Sequence, residues 1–387
     1  MTRWYVSNES GLGLDLSRIG PIPLDLNPRW LGARITNADR RLVHFLLDDI
    51  SRPSGYAPFF VHPGSLSYNI GEFCLHRIQV TRYVLRSAPL CESPASLPLL
   101  FEPLSRAIGR HGAVFLEGVP SDSPLATLLN APTGPVPDVF HVVPYGPEYQ
   151  RRLIELPCGA RFEDYLQVLG PGSRKDLRRT RERFRARANG VVQVSRYTAP
   201  DDADRLAATI AGISRKTYQH RLLGLGLDDN AEQVAWLRAA AGAGWLRAYI
   251  LQIDDDPVAF VLGYQDCGTF YSHHIGYDTR FSKLQPGIFL HMEVVADLLG
   301  NGIYCVDLGP GDSVYKARLS NQSRLERHYY LIPRGWPGTV RAKLLAAVNA
   351  LSEGLGDWLG RTGLKVRLRR LMRSAHVAGA RSRADGC

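Results

Sequence analysis

The spacing of apolar and polar residues is most regular in the second half of the chain. It predicts a basic helix over 172–190, capped by Ser173, and then a strand and two more helices, the second of which begins at Asn230. Three closely spaced apolar strands follow, with turn sequences typical of antiparallel hairpins. A helix that starts at Pro286 and the strand YCVDLG come next, before a last strand. This order of elements predicts a mixed α/β fold.

The first half is less regular. The first 35 residues are rich in Gly and Pro and predict an irregular arm, followed by strands over 75–85 and 113–119 with a helical segment between them. Five prolines between Asn130 and Gln150 predict a linker. The expected division is an N-terminal arm and lobe (1–155), a second domain (156–335), and a C-terminal helix with a basic tail (336–387).

Length and composition limit the classes of protein that need to be considered. At 387 residues the chain is long for a single hydrophobic core. The six cysteines include no C-x-x-C pair, which argues against a zinc ribbon and against a disulfide framework. No apolar run is long enough for a signal core or a bilayer span. We expect a reduced, cytoplasmic protein that needs no metal.

The net charge of +10 is concentrated in two stretches. Eight Lys or Arg and two acids lie between Arg174 and Arg187, and eight Lys or Arg and one acid lie between Arg361 and the C-terminus. If the protein binds a polyanion such as tRNA, we expect the contacts to be made by these two stretches. The alternatives are a solvated helix face for the first stretch, and a frayed tail or contact with an anionic membrane surface for the second.

One motif gives a more specific indication. Residues 304–316 read YCVDLGPGDSVYK, which resembles the D-x-G-x-G-D-x-x-Y-K signature of the CelD-related branch of the GNAT acyltransferase superfamily. The resemblance covers about 156–335, and it includes the Pro-Gly start of the preceding helix. It implies a second, degenerate GNAT-like lobe before it, as in the Fem-type peptidyltransferases. Only the short segment SVYKARLS stands where a typical GNAT core has a full helix, so the acceptor side is expected to differ.

The resemblance implies acyl-CoA as the donor, and it directs attention to the helix that starts at Pro286. A helix N-terminus presents unpaired N–H groups to a phosphate. The candidate donor-binding residues are therefore Gly287 and Ile288 at the helix start, with charge added by Lys283 or Arg280. The alternative is a capped helix that binds nothing.

The candidate catalytic residues lie on the two strands beside that helix. Asp307 closes one strand, Asp312 is a candidate proton acceptor or ammonium site, Lys316 would neutralise an anion, and Tyr315 would act as an acid toward the leaving thiolate. Strand alternation puts His274 on one face with Phe270, as a possible base. An Asp312 to Lys316 ion pair in a capped turn is the structural alternative.

The sequence thus favours an acyl-CoA-dependent N- or O-acyltransferase that acts on an amine or hydroxyl acceptor, and the family resemblance suggests a sugar or polysaccharide precursor as that acceptor. Two alternatives stay open: a Fem-type transferase that uses aminoacyl-tRNA, and a non-catalytic accessory protein of polysaccharide or envelope synthesis. The C-terminal helix carries apolar residues at spacings of three and four, which predicts docking on the protein body or on a partner. These residues are Leu344, Val348, Leu351, Leu355 and Trp358.

Overall fold

A computed structural model describes residues 3–7, 13–35, 39–71, 73–188, 190–217 and 227–361. The basic tail beyond residue 361, Asn189 as a helix stop, and the Trp358 side chain lie outside what it describes. The helices are α1 Pro28–Ala33, α2 Phe101–Ile108, α3 Pro124–Asn130, α4 Phe162–Val168, α5 Pro171–Arg187, α6 Ala203–Lys216, α7 Ala231–Gly242, α8 Pro286–Gly300, α9 Val314–Leu319 and α10 Trp336–Arg361. The strands are β1 Trp4–Ser7, β2 Arg41–Leu47, β3 Gly55–Ile70, β4 Phe73–Leu85, β5 Leu90–Cys91, β6 Gly112–Pro120, β7 Phe140–Glu155, β8 Val192–Tyr197, β9 Leu246–Ile253, β10 Asp256–Asp266, β11 Thr269–Tyr277, β12 Cys305–Pro310 and β13 Gln322–Pro333.

The chain divides into two compact units, and the division differs from the expected one. The first unit comprises residues 1–148 and 325–387, and the second comprises 149–324. Most of β13 and all of α10 therefore belong with the N-terminal residues. The reason is a long-range ladder, in which β13 pairs antiparallel with β6 and places Tyr329 opposite Leu116. Sequence order alone cannot reveal such a pairing.

The first unit contains a mixed sheet in the order β1-β2-β3-β4-β6-β13. Its strands pair antiparallel except for β4 and β6, which run parallel and are joined through α2. One face packs Phe45, Phe59 and Tyr83 against Phe101 and Leu104 of α2. Alternating apolar residues on each strand supply this face, as the period of two requires.

Two predictions for the first unit were wrong. The second half of the proposed linker belongs to the long strand β7, in which Pro144 and Pro147 are accommodated. Proline cannot donate to a ladder, but it fits a strand position whose N–H is not needed for pairing. The supposed irregular arm contains β1 and α1, and α1 is capped by Asn27, whose side chain accepts hydrogen bonds from Arg29 and Trp30.

The second unit has the strand order β7-β12-β11-β10-β9-β8, which agrees with the mixed α/β fold predicted from the sequence. Helix α8 lies in its core and is apolar over most of its surface. Helix α5 packs on it, with the rings of Phe184 and Phe289 stacked at 4.2 Å between centroids. Arg181 and Arg185 of α5 add ion pairs to Glu293 of α8. These contacts hold the N-terminal end of α8 in place.

Most boundaries in this unit follow the sequence signals. The side chain of Asn230 accepts a hydrogen bond from the Gln233 amide and caps α7, as predicted, and α8 begins at Pro286. Helix α5, however, begins at Pro171, so Ser173 lies within the helix and is not its cap. Proline at the first helical position supplies the correct φ angle and loses no intrahelical hydrogen bond. Among the described helices, none is both long and apolar enough to cross a bilayer.

The stacked aromatic pair gives a test of the core. Replacing the buried ring in Phe289→Ala should lower the free energy of unfolding by about 3 to 5 kcal/mol, because a large side chain is lost and a cavity remains. The matched control is Phe73→Ala, which removes a ring that is 77% exposed and should cost less than about 0.5 kcal/mol. Urea unfolding followed by circular dichroism measures both. Equal effects would contradict the packing described for α8.

Candidate functional site

The strands β11 and β12 are parallel neighbours for only part of their length. Pairing runs from Thr269 opposite Cys305 to Tyr271 opposite Asp307 and ends there, although both strands continue. Beyond this point the strands are no longer hydrogen-bonded to each other. The gap opens at the carboxyl ends of the two strands, which is where ligands bind in open α/β sheets.

A β-bulge changes which residues of β11 face the core. Ser272 lies opposite Gly263 and His274 lies opposite Leu262, so His273 is an extra residue on this strand. In a regular strand Phe270 and Ile275 would lie on opposite faces, because an odd number of positions separates them. The extra residue between them reverses the alternation, so both pack against the same core cluster. The predicted grouping of Phe270 with His274 was wrong, because a single inserted residue reverses the alternation.

A cavity of about 480 Å³ lies beside the first turn of α8. Its walls are mainly apolar and come from β10, β11, α8 and α9, with polar groups at a few places. The lining residues are Thr217, Phe260, Ile275, Gly276, Tyr277, Ser282, Gln285, Gly287, Ile288, His291, Val314, Tyr315 and Arg318. Mostly apolar walls with a few convergent polar groups are typical of ligand sites. Of the predicted site residues, Gly287, Ile288 and Tyr315 line this cavity.

The N-terminal end of α8 has unusual geometry. Gln285, just before the helix, has φ of 56°, a left-handed conformation that costs free energy for a residue with a side chain. The amides of Ile288 and Phe289 both donate to the Gln285 carbonyl, Pro286 has no N–H, and no side chain caps this end. The Gly287 amide thus lies at the cavity wall, at the positive end of the helix dipole.

His291 is the most notable polar residue at the cavity. The residue is 3% exposed, and its Nδ1 lies 2.9 Å from the carbonyl oxygen of Gly287, one helical turn earlier. A carbonyl oxygen can only accept, so Nδ1 carries the proton and Nε2 bears the lone pair. Nε2 is buried and has no hydrogen-bond partner among the described residues. Burial is the main reason that the pKa of His291 lies below its ordinary value, and the nearby charge of Lys316 lowers it further.

Tyr315 stands next to His291, with 5.9 Å between the two ring centroids. Burial raises the pKa of Tyr315 to about 12, so its hydroxyl is protonated throughout the physiological range. On the same short helix, Arg318 also lines the cavity and forms an ion pair with Asp176 of α5. The cavity wall therefore combines a hydrogen-bond acceptor, a hydroxyl donor and a paired cation.

The loop after β12 is fixed by a buried ion pair. Asp307 accepts a hydrogen bond from Arg151 at 2.5 Å and a second from the Gly309 amide at 2.7 Å. Gly309 has φ of 78°, which a residue with a side chain would adopt only under strain. Lys316 donates to the Pro310 carbonyl at 2.8 Å, and burial lowers the pKa of Lys316 below its ordinary value. Asp307 and Lys316 hold the loop and are absent from the cavity wall.

Asp312 has a different partner from the one considered in the sequence analysis. Its carboxylate accepts two hydrogen bonds from the Arg152 guanidinium, at 2.7 and 3.1 Å, and its side chain is 55% exposed. The ion pair between Asp312 and Lys316, considered as a structural alternative, does not form, because Lys316 donates to the Pro310 carbonyl. Arg152 comes from β7, which is antiparallel to β12, so only the pairing of these distant strands brings the two charges together.

Three other predicted site residues lie outside the cavity wall. His274 is an exposed residue of β11. Arg280 forms ion pairs with Asp256 and with the buried Asp278, which engage its guanidinium. Lys283 is exposed on the short 3-10 helix that leads to Gln285. The structure does not bring these three side chains together with Gly287.

Sequence reasoning missed His291 altogether. A signal was present, since His291 follows Gly287 by four positions and so lies on the same side of α8. It is also one of only two polar residues in the stretch IFLHMEVV, the other being Glu293. Thr217, Ser282 and Arg318 were missed for a different reason, because they come from separate elements that only the fold places at one cavity.

No group of three or more His, Cys, Asp or Glu side chains in the described ranges is arranged to hold a metal ion. Burial raises the pKa of Cys305 to about 11, so its thiol stays protonated at neutral pH.

The two Arg–Asp pairs after β12 can be compared directly. Arg151→Leu should destabilise the protein by about 3 kcal/mol, because it leaves the Asp307 carboxylate buried without its cation. Arg152→Leu removes the same side chain from the neighbouring position, where the partner Asp312 is exposed, and should cost about 1 kcal/mol or less. Thermal or urea unfolding measures the stability of the two variants and shows which pair contributes more. A larger loss for Arg152→Leu would contradict the assigned roles.

Comparison with known protein families gives a match to part of the second unit. The family model described as acetyltransferase (GNAT) domain matches residues 172–317, which include α8, the cavity wall and the loop after β12. No curated protein matches the sequence.

Two solved structures resemble the chain over most of its length. FemX is 9% identical, with a TM-score of 0.55 over 83% of this chain and 95% of FemX. A conserved protein of unknown function from Bacteroides thetaiotaomicron is 17% identical, with a TM-score of 0.51 over 84% of this chain and 95% of that one. At these identities the likeness establishes the fold only. The family match covers less than half of the chain, and it shows that residues 172–317 are similar to an acetyltransferase (GNAT) domain.

Proposed function

We propose that the second unit transfers an acyl group from acyl-CoA to an amine or hydroxyl acceptor, and that His291 removes the acceptor proton. The observation that carries the proposal is that His291 lines a mainly apolar cavity and that its buried Nε2 has no hydrogen-bond partner among the described residues. Transfer between a thioester and a nucleophile needs such an acceptor and little water. The D-x-G-x-G-D-x-x-Y-K motif supports a place in the CelD-related branch.

The proton path follows from the tautomer. Nε2 accepts the acceptor's proton while the new C–N or C–O bond forms and the C–S bond breaks. The resulting imidazolium is held by the hydrogen bond from Nδ1 to the Gly287 carbonyl. Because the pKa of His291 is below its ordinary value of about 6.5, the imidazolium readily gives the proton to the leaving thiolate. The products are the acylated acceptor and the free thiol of CoA.

Tyr315 has a supporting role in this scheme. A hydroxyl whose pKa is about 12 is a weaker acid than a thiol, whose pKa is about 8.5 in a cysteine, so Tyr315 does not protonate the thiolate. It can donate a hydrogen bond to the leaving sulfur or to the thioester oxygen. The acid role first considered for Tyr315 is thus replaced by a hydrogen-bonding one.

The donor's phosphate groups would bind at the N-terminal end of α8. The Gly287 amide and the helix dipole favour an anion at this place. A Cβ on Gly287 would meet only the Tyr277 ring, at 3.6 Å, which is an ordinary contact. A substituted residue therefore fits there, and the effect of its charge can be measured without a steric clash.

Aminoacyl-tRNA is the alternative donor. The likeness to FemX supports this alternative only at the level of the fold. Helix α5 also carries the Arg-rich stretch that was predicted to bind a polyanion. Several of those arginines have structural partners, because Arg181 and Arg185 pair with Glu293 and Arg174 donates to the Gln167 and Leu169 carbonyls. Fewer cations are then available for RNA than the sequence implies, which favours the smaller donor. An accessory protein without activity is the remaining alternative.

The base assignment is tested by replacing each histidine separately. His291→Gln should lower kcat by about 10²- to 10⁴-fold and leave the affinity for acyl-CoA within about threefold, since the amide cannot accept a full proton. His274→Gln is the control at an exposed position and should retain activity. Thiol release from acetyl-CoA and from longer acyl-CoA, with amine and sugar acceptors, provides the assay. Full activity of His291→Gln would rule out this mechanism.

The donor site is tested by a pair of nearly isosteric variants. Gly287→Asp should weaken acyl-CoA binding at least about tenfold, because its carboxylate repels phosphate, whereas Gly287→Asn should stay within about threefold of the parent. Isothermal titration calorimetry measures both. If the parent binds no acyl-CoA, titration with aminoacyl-tRNA at two salt concentrations decides in favour of that donor or of an accessory role.

A further inference from the structure

The helix α10 has two apolar faces, and only one of them is used in packing. Ala342, Leu345 and Val348 point inward and join a core cluster with Leu66 and Tyr68 of β3. Val348 therefore belongs to the inner face, although the sequence pattern grouped it with Leu344 and Leu351. The inward contacts fix the rotation of α10, and with it the direction in which its other side faces.

The opposite side of α10 presents an exposed apolar stripe. At 100° per residue these positions fall within a sector of about 100°, and from the first to the last they extend about 30 Å along the helix. The stripe consists of Trp336, Val340, Leu344, Leu351 and Leu355, whose exposed fractions are 82, 48, 44, 58 and 42%. Single exposed apolar residues are common on proteins, but a continuous line of five is not.

The charges beside the first half of the stripe are positive. Lys343 lies on one side of the stripe and Arg341 on the other, and the exposed Arg334 lies just before the helix. The helix also contains two acids in its second half, Asp357 and Glu353, and Glu353 is paired with Arg327. The sequence from Arg361 onward adds eight Lys or Arg and one acid.

We propose that this outer face of α10 binds the interfacial region of an anionic lipid membrane. An apolar stripe bordered by cations is the pattern of a helix that lies in the plane of a membrane interface. Its apolar side chains enter the acyl boundary, while Arg and Lys contact anionic headgroups. Trp336, at one end of the stripe, has a ring suited to the depth of the headgroups.

The charges favour lipid over a protein partner. A second copy of this chain would bring the same cations to the interface, so the stripe of one copy would meet like charge at its borders. An anionic membrane supplies the opposite charge over the whole length of the helix. The proposal does not depend on the chemistry at His291, because α10 and the cavity belong to different units.

The test is cosedimentation of the full chain with phosphatidylcholine vesicles, with and without phosphatidylglycerol. The parent should bind the anionic vesicles, and Leu344→Glu combined with Leu351→Glu should lower the partition coefficient at least about tenfold. The matched control is Leu99→Glu combined with Val168→Glu, which adds the same charge at positions 46 and 49% exposed elsewhere. The control should stay within about threefold of the parent.

Further measurements keep the outcomes distinct. Leu344→Gln with Leu351→Gln removes the apolar area without adding charge, and it should also weaken binding, whereas circular dichroism should show that every variant is folded. Brominated lipid should quench tryptophan fluorescence in the parent, and less so in Trp336→Phe. Equal loss in stripe and control variants would assign binding to charge alone and overturn the proposal. So would absence of binding, or a dimer in gel filtration that the stripe variant dissociates.

Discussion

The burial of helix α8 in the core of the second unit is the constraint on which the candidate site depends. Its stacking on α5 through Phe289 and Phe184, together with the Glu293 ion pairs, fixes both the axis and the rotation of the helix. That rotation brings Gly287 and His291 to the same cavity. A polar group carried on so apolar a helix is costly unless it is hydrogen-bonded, and His291 satisfies only Nδ1. The unsatisfied Nε2 is the feature that a purely structural histidine would lack.

The surrounding elements support this arrangement from outside. The end of pairing between β11 and β12 leaves space beside α8, and the Asp307–Arg151 pair fixes the loop that follows β12. The D-x-G-x-G-D-x-x-Y-K motif thus serves mainly to hold a turn, with Tyr315 as its contribution to the cavity wall. Residues that look catalytic in a sequence motif can act by positioning others, since ion pairs and tight turns use the same residue types.

The sequence predicted the mixed α/β fold and the order of elements in the second unit, because apolar periodicity and helix caps are local signals. It predicted Pro286 as the helix start for the same reason. It did not predict the partners of Arg151 and Arg152, because these arginines lie on β7 whereas Asp307 and Asp312 lie on or after β12, far away in the sequence. The bulge at His273 could not be predicted from the sequence, because one inserted residue does not change the composition of a strand. It places His274 on a different face from the predicted one.

The central claim is that His291, at the wall of the proposed donor cavity, is neutral, protonated on Nδ1, and without a hydrogen-bond partner at Nε2 among the described residues. The most direct measurement is ¹⁵N NMR of protein labelled at histidine, with the His291 signals assigned by comparison with His291→Gln. The account predicts an unprotonated Nε2 at neutral pH and a shift of that nitrogen when a non-hydrolysable acyl-CoA analogue is added. A protonated Nε2, or signals that no acyl-CoA analogue changes, would contradict it.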